Sequence, residues 1–240
     1  MKCLALVIGF LSSLMLTISS HTQKDDFPVL RGPYLGQKPP GMTPEVFAPG
    51  IVSAGGAEFN AAFSPDGEEF YFSVYQKSDR ETMMAMKLKD GYWTSPEAVA
   101  FTSRWSDCDP FYGLDGKRIY FISNRPKNQS ETSGDWDIWY MEREKSNLSH
   151  ATNAGPPVNS EYDEYYVSLK KEGAVYFASN RPGGHGLFDI YCSRLVAGRY
   201  DVPKNLGDES YLIFTSVGRP DGFGKGDLFV SFRGENETWT

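Results

Sequence analysis

The sequence is poor in cysteine, in histidine and in positive charge. Among 240 residues there are only 3 cysteines and 3 histidines, and 24 Lys+Arg face 31 Asp+Glu, for a formal net charge of −7. A negative surface repels phosphate backbones and anionic lipids, so nucleic-acid binding and attachment to a membrane surface are disfavoured. The Gly-x-Ser-x-Gly motif of α/β-hydrolases and the His-Glu-x-x-His motif of zinc peptidases are both absent. These two enzyme classes are therefore excluded.

Apolar runs are short everywhere except at the N-terminus. There, Lys2 precedes a nearly unbroken apolar run that ends at Ser19 and Ser20. This arrangement is typical of a secretory signal, so residues 1–20 are predicted to be a cleaved signal peptide and the mature protein to be periplasmic or secreted, with no membrane span. After removal of the signal peptide, Cys108 and Cys192 are the remaining cysteines. We expect them to stay unpaired because they occupy different positions within the sequence repeat described below.

Aromatic residues, glycine and proline are abundant. Aromatics make up 15% of the chain, with 24 Gly and 15 Pro. Aromatic side chains favour strands, Gly and Pro favour turns, and no segment has a helical period. The composition therefore predicts an all-β protein.

One pattern recurs after about residue 55. Each copy has an apolar strand, a turn of the Asp-Gly kind and a second strand of aromatic and β-branched residues, which together predict a hairpin. A Gly/Pro-rich loop, a third strand beginning with aspartate and a short fourth strand follow. When the copies are aligned, Tyr71, Tyr120, Tyr176 and Ile213 occupy the same position in the second strand. The first two intervals between these residues are about 50 residues long, which is the size of a four-stranded propeller blade. The third interval is shorter by about the length of one strand.

The repeat predicts a β-propeller of about four antiparallel four-stranded blades, the last incomplete. Residues 21–41 are expected to form an extended lead-in and residues 42–240 the propeller. The segment 43–50 resembles the fourth-strand segment 94–101. It could supply the outer strand that the last copy lacks and so close the ring. A truncated larger propeller and a decayed gene product that cannot close its ring are the alternatives.

Several motifs carry a family resemblance. They are the Ser-Pro-Asp-Gly turn at 64–67, the Ser-Asn-Arg-Pro runs at 123–126 and 179–182, and the third strands that begin with Asp137 and Asp189. Over residues 35–240 the chain resembles the TolB-like WD40-type propellers, a family of six-bladed exported bacterial proteins. The resemblance implies a periplasmic scaffold that binds protein partners through one face or the channel mouth. No α/β domain precedes the repeats, which puts TolB's own partners in doubt for this chain.

Acidic residues recur where the first strands begin. They are Asp107 and Asp109 in the second copy and Asp163 and Glu164 in the third, with Asn60 in the matching column of the first. Because first strands line the channel of a propeller, these side chains could converge there as binding residues, as calcium ligands, or as the carboxylates of a glycoside hydrolase, with Asp109 and Glu164 as the best pair. The alternative is that they hold blades together through hydrogen bonds.

A second set pairs an arginine at the end of strand two with an aspartate at the start of strand three. The predicted structural pairs are Arg125–Asp137, Arg181–Asp189 and Arg219–Asp227. A hairpin places such positions opposite each other, where a guanidinium and a carboxylate can tie the loop.

Aromatic residues at strand ends complete the candidate binding site. Trp136 and Tyr162 are predicted contact residues, whereas the other aromatics are expected to pack between blades. The favoured function is a monomeric, non-enzymatic scaffold that binds an envelope protein or small ligand at the propeller rim, without a cofactor. The alternative is a propeller glycoside hydrolase.

Overall fold

The computed structural model describes residues 27–39, 41–76, 80–99, 104–127, 132–144, 147–184, 186–206, 211–217 and 226–232, the last two ranges by their backbone alone. The predicted signal peptide lies outside these residues. Within them the chain is all-β with antiparallel sheets, which confirms the predicted class. No helix in these ranges has the length and apolar character needed to span a bilayer.

The first two sheets share one plan. Sheet one contains β1 (Glu58–Phe63), β2 (Glu69–Tyr75), β3 (Glu81–Lys89), β4 (Tyr92–Trp93) and β5 (Glu97–Ala98). Sheet two contains β6 (Asp107–Tyr112), β7 (Arg118–Ser123), β8 (Asp137–Glu144), β9 (Asn147–Leu148) and β10 (Thr152–Asn153). In each, the first three strands form a meander, and two short strands pair separately with the third. The predicted fourth strand is therefore divided into two pieces.

Sheet three repeats the meander. It contains β11 (Glu164–Leu169), β12 (Val175–Ser179), β13 (Asp189–Ser193) and β16 (Lys204–Asn205). A separate hairpin of β14 (Leu195–Val196) and β15 (Arg199–Tyr200) precedes β16, and the last repeat contributes a hairpin of β17 (Tyr211–Val217) and β18 (Gly226–Phe232).

The first hairpin of each sheet turns where the sequence predicts it. Gly67 and Gly116 follow aspartates at the turns and have φ of 72° and 68°, a region in which glycine lacks the steric penalty of other residues. Gly173 has φ of 86° at the third turn. The predicted hairpins are thus confirmed for the first three copies.

The sheets stack through both faces of their middle strands. On β7, Ile119 and Phe121 belong to the core between sheets one and two, whereas Tyr120 and Ile122 belong to the core between sheets two and three. The first strands of sheets two and three also contact the preceding sheet, since β6 touches β1, β2 and β3, and β11 touches β6, β7 and β8. Because both faces are buried, these middle strands are apolar at nearly every position.

The segment before β1 covers the outer face of sheet one. Leu35, from the predicted extended lead-in, is 2% exposed and lies in one core cluster with Phe70 and Trp93. The indole Nε1 of Trp93 donates to the carbonyl of Gly32 at 2.8 Å. A 3-10 turn at Pro33–Gly36 directs Leu35 into this core. The lead-in therefore packs on sheet one instead of running free.

The segment proposed to close the ring also lies on sheet one. Phe47 and Ala48 pack in the same cluster as Leu35, and the segment's bridge is a local one between Pro49 and Ser53. Among the described residues, β17 and β18 pair only with each other and no sheet is closed. Within the described ranges, segment 43–50 forms no strand pairing with β17 or β18, and the proposed ring closure stays a prediction. The segment's apolar residues are used to cover the face of sheet one that no preceding sheet covers.

Candidate functional site

Each of the three sheets has a β-bulge in its first strand. The register shifts between Phe59 and Ala61, between Cys108 and Phe111, and between Tyr165 and Ser168. At each bulge one residue other than glycine has a positive φ, 37° at Asn60, 54° at Asp109 and 53° at Tyr166. Such a conformation costs on the order of 1 kcal/mol or more and is concentrated at functional sites in proteins.

The three bulges meet at one open cavity. Its volume is about 190 Å³. We call it the bulge cavity and define it by its lining residues, which are Asn60, Ala61, Asp109, Pro110, Phe111, Tyr166 and Val167. Consecutive first strands thus bring an amide, a carboxylate and a phenol to one place.

Asp109 is the buried member of this group. It is 7% exposed, its carboxylate Oδ1 accepts a hydrogen bond from Nδ2 of Asn60, and its backbone N–H donates to Oγ of Ser73 at 3.0 Å. Burial raises the pKa of Asp109 to about 6; the Asn60 hydrogen bond opposes this effect and the charge of Glu81 adds to it. The ionised carboxylate therefore destabilises the fold as the pH rises through about 6.

The surroundings of Asp109 are negative and aromatic. Partial burial, followed by the charge of Asp109, raises the pKa of Tyr166. A hydrogen bond to Glu81, followed by burial, raises the pKa of Tyr75 to about 12. Oε2 of Glu81 is buried and, among the described residues, has no hydrogen-bond partner. The local field thus favours a positive charge.

Aromatic rings lead from the bulge cavity across sheet three. The ring of Tyr165 lies 6.1 Å from Tyr166, 5.6 Å from Trp136 and 5.4 Å from Phe188. Tyr166 and Phe188 are exposed, whereas Trp136 and Tyr165 are half-buried. An exposed aromatic surface therefore adjoins the polar cavity.

Asp107 and Glu164 have a different role from Asp109. Both are fully buried, and each forms an ion pair with an arginine, Arg125 at 2.5 Å and Arg181 at 2.9 Å. Glu164 also accepts hydrogen bonds from Ser160 and from Ser179. Neither acid lines the bulge cavity. Glu164, the carboxylate proposed to act with Asp109 in glycoside hydrolysis, is therefore held in a buried ion pair with Arg181.

These ion pairs explain the repeated Ser-Asn-Arg sequence. In the second run, Nε of Arg181 donates to Oγ of Ser179 at 3.1 Å, and its terminal nitrogen then reaches Glu164. Oδ1 of Asn180 accepts the backbone N–H of Asp163 at 2.8 Å. Ser123, Asn124 and Arg125 make the same contacts with Ser106 and Asp107. We call each tripeptide with its acid a Ser-Asn-Arg clip.

The clips correct the predicted arginine pairs. The expected partners were Asp137 and Asp189, on strand three, but the arginines pair with Asp107 and Glu164, on strand one. Ser123 lies opposite both Asp107 and Asp137, so sequence spacing does not distinguish the two acids. The side chain of Arg125 folds back over Ser123, so its guanidinium faces Asp107 on the first strand.

The predicted strand-three acids have other contacts. Asp137 lies 3.2 Å from Lys127, and Asp189 accepts the backbone N–H of Gly186 at 3.1 Å. Burial raises the pKa of Asp137 to about 6, against the opposing charge of Lys127. Of the third predicted pair, Arg219 lies outside the described residues and only the backbone of Asp227 is described.

The remaining predicted contact residues lie close to the third sheet. Oδ1 of Asp163 accepts the backbone N–H of Trp136 at 3.0 Å, and the N–H of Tyr162 donates to Oγ of Ser160 at 3.1 Å. Asp163 therefore joins sheets two and three through the backbone. Tyr162 is half-buried and is not part of the bulge cavity.

Tyr166 is a residue of the cavity that the sequence analysis did not single out. Asn60 and Asp109 are residue types that tolerate positive φ, which is a usable signal for a bulge. Tyrosine is not, and an aromatic residue in a strand is usually packed. Counting back from the turn glycine does identify Tyr166, because it precedes Gly173 by the same number of residues as Asn60 precedes Gly67 and Asp109 precedes Gly116.

The expectation of unpaired cysteines and the possibility of a calcium site can be compared with the described residues. Cys108 is buried and Cys192 is half-buried, and both are free thiols. Within the described ranges, no group of three or more His, Cys, Asp or Glu side chains is arranged to hold a metal ion.

Comparisons with known proteins give structural matches alone. No family model matches the chain. No curated protein matches it. Among solved structures, it is similar to TolB from Acinetobacter baumannii, with a TM-score of 0.46 and 16% identity, covering 75% of this chain and 42% of that one. It is also similar to a puromycin-hydrolyzing peptidase of Mycobacterium tuberculosis, with a TM-score of 0.43 and 15% identity, covering 78% of this chain and 31% of that one. The chain spans less than half the length of either.

Proposed function

We propose that the protein is an exported β-propeller scaffold that binds a polypeptide partner at the bulge cavity and the adjoining aromatic surface. The observation that carries this proposal is the convergence of Asn60, Asp109 and Tyr166, each from a different sheet, on one open cavity. Three strained residues at equivalent places cost stability, and such a cost is typical of residues kept for function.

The propeller architecture is supported by the repeated plan of the sheets. Sheets one, two and three each have a three-strand meander with short strands along the third strand, and the first strands of sheets two and three pack on the preceding sheet. Sheets that stack in this order around an axis bring their first strands together at the centre. In such a ring the bulge cavity lies at the mouth of the channel.

A binding function fits the arrangement of acids better than glycoside hydrolysis. A glycosidase of the common kind needs two carboxylates about 5 to 10 Å apart at the substrate. In the bulge cavity, Asp109 is the acid among the lining residues, and Glu164 is fully buried in a Ser-Asn-Arg clip. Export to the periplasm or beyond is supported by the sequence of residues 1–20.

A Tyr166→Asn variant tests this function. Asparagine removes the aromatic ring and tolerates the positive φ of the bulge. We expect the wild-type protein, immobilised and exposed to an envelope extract, to retain a specific polypeptide, and the variant to retain about tenfold less, because exposed tyrosines often dominate interfaces.

The control is Val202→Asn, at an apolar position that is 76% exposed and outside the site. Its retention should equal that of the wild type. Equal retention by Tyr166→Asn would contradict the proposed site. Glycan hydrolysis by the wild type that is lost in both Asp109→Asn and Glu164→Gln would support the glycosidase instead.

A further inference from the structure

We propose that the bulge cavity receives the ammonium group of a lysine side chain from the polypeptide partner. This inference rests on the proposed function and specifies the chemistry of its ligand. It combines the charge of the site, its size, its aromatic wall and the hydrogen-bonding capacity that Asp109 retains.

The negative charge of Asp109 has no positive partner among the described residues that line the cavity. The described residues that line it include one carboxylate, Asp109, and no lysine or arginine. Asp109 is 7% exposed, and its nearest described side-chain partner is the neutral amide of Asn60. A buried anion without a cation is unfavourable, and a cation from a partner relieves that cost.

The volume of the cavity fits one side chain. At about 190 Å³ it is smaller than the roughly 300–1,000 Å³ of most small-molecule sites. A single extended side chain can enter it while the rest of the partner stays outside. The exposed rings of Tyr166 and Phe188 lie where the adjoining part of a polypeptide would rest.

Tyr166 provides a suitable wall for a positive charge. Tyr166 is 65% exposed and lines the cavity together with Asp109. A tyrosine face attracts an ammonium group, and the methylene chain of lysine packs on the same ring. An aromatic ring beside a carboxylate is thus selective for an alkylammonium.

The hydrogen bond from Asn60 favours lysine over arginine. It engages Oδ1 of Asp109, which leaves Oδ2 as the oxygen available to a ligand. A guanidinium binds a carboxylate best through both oxygens, whereas an ammonium is a compact charge that needs one. The net charge of −7 adds a general attraction for basic partners.

The test uses Nα-acetyl-lysine N-methylamide as the probe, with the ¹⁵N-labelled protein observed by NMR. We expect saturable shifts at Asn60 and Tyr166 with a dissociation constant on the order of 1 mM. The Nε-acetylated probe, which has no charge, should bind at least about tenfold more weakly. The arginine analogue should also bind more weakly than the lysine probe.

An Asp109→Asn variant removes the charge and keeps the shape, and asparagine tolerates its positive φ. It should weaken lysine binding by about tenfold or more. The control is Asp90→Asn, which removes one charge at an exposed turn of positive φ and should bind as the wild type does. Dispersed amide spectra of both variants establish that each is folded.

The outcomes separate the inference from the proposed function. Equal binding of the charged and acetylated probes, unchanged binding by Asp109→Asn, or binding of methyl glucoside in place of the lysine probe would overturn the lysine assignment. If Tyr166-dependent retention of a polypeptide persists in that case, the scaffold function stands. If that retention is also absent, the function itself fails.

Discussion

An Arg181→Met variant is expected to lose about 3–5 kcal/mol of unfolding free energy. Arg181 is the cation that faces Glu164, whose side chain is fully buried, at 2.9 Å. Its guanidinium also donates to the carbonyl of Val158 at 2.6 Å. Removing it leaves a buried carboxylate without its cation, which costs far more than the loss of a surface ion pair. Urea denaturation measures the difference.

Two further variants make this prediction specific. Arg194→Met removes an exposed arginine directly after β13, the neighbouring strand of the same sheet, and should change stability by no more than about 0.5 kcal/mol. The double variant Arg181→Met/Glu164→Gln removes the buried charge as well and should recover part of the loss. A single variant as stable as the Arg194 control would show that the Ser-Asn-Arg clip does not hold the sheet.

A Phe121→Ala variant is expected to lose a similar amount, about 3–5 kcal/mol. Phe121 is fully buried on β7 and packs against Tyr71 and Met83 of sheet one. The truncation leaves a cavity between two sheets, and the surrounding strands are held by their hydrogen bonds and cannot collapse to fill it. Thermal and urea unfolding of the two proteins measure the effect.

Phe188→Ala is the matched control for this truncation. Phe188 is 46% exposed, so its loss should change stability by about 0.5 kcal/mol or less. A Phe121→Ala loss no larger than that of Phe188→Ala would mean that sheets one and two do not share this core.

The sequence was most informative about local structure. Each Asp-Gly turn and the aromatic run after it specify a hairpin, because glycine permits the turn and both faces of the second strand are apolar. The middle strands around Tyr71, Tyr120 and Tyr176 lie as predicted. Local rules suffice where the determining residues are adjacent in the chain.

Contacts between strands were harder to predict. The acid that meets Arg125 depends on how a long side chain folds over Ser123, and two acids lie in the same row. The packing of Leu35 on sheet one depends on which face lacks a neighbouring sheet. The position of Tyr166 depends on an extra residue in the first strand. In each case the contact depends on how strands that are distant in the sequence align in the folded protein.

The membership of the TolB-like family, the number of blades and the signal peptide stay predictions. The three sheets whose side chains are described support a repeated architecture, and the last repeat is described only as a backbone hairpin. The functional argument depends on the first three sheets alone, because the bulge cavity is built from β1, β6 and β11.

The most direct test of the account is an NMR titration of the Asn60 side-chain amide from about pH 2 to about pH 8. It asks whether first strands from different sheets meet at a buried carboxylate. Since Asn60 of β1 donates to Asp109 of β6 and burial raises the pKa of Asp109 to about 6, the amide resonance should shift with a midpoint near that value, and Asp109→Asn should abolish the shift. An amide that does not titrate, or that titrates near the ordinary aspartate value of 3.8, would contradict the account.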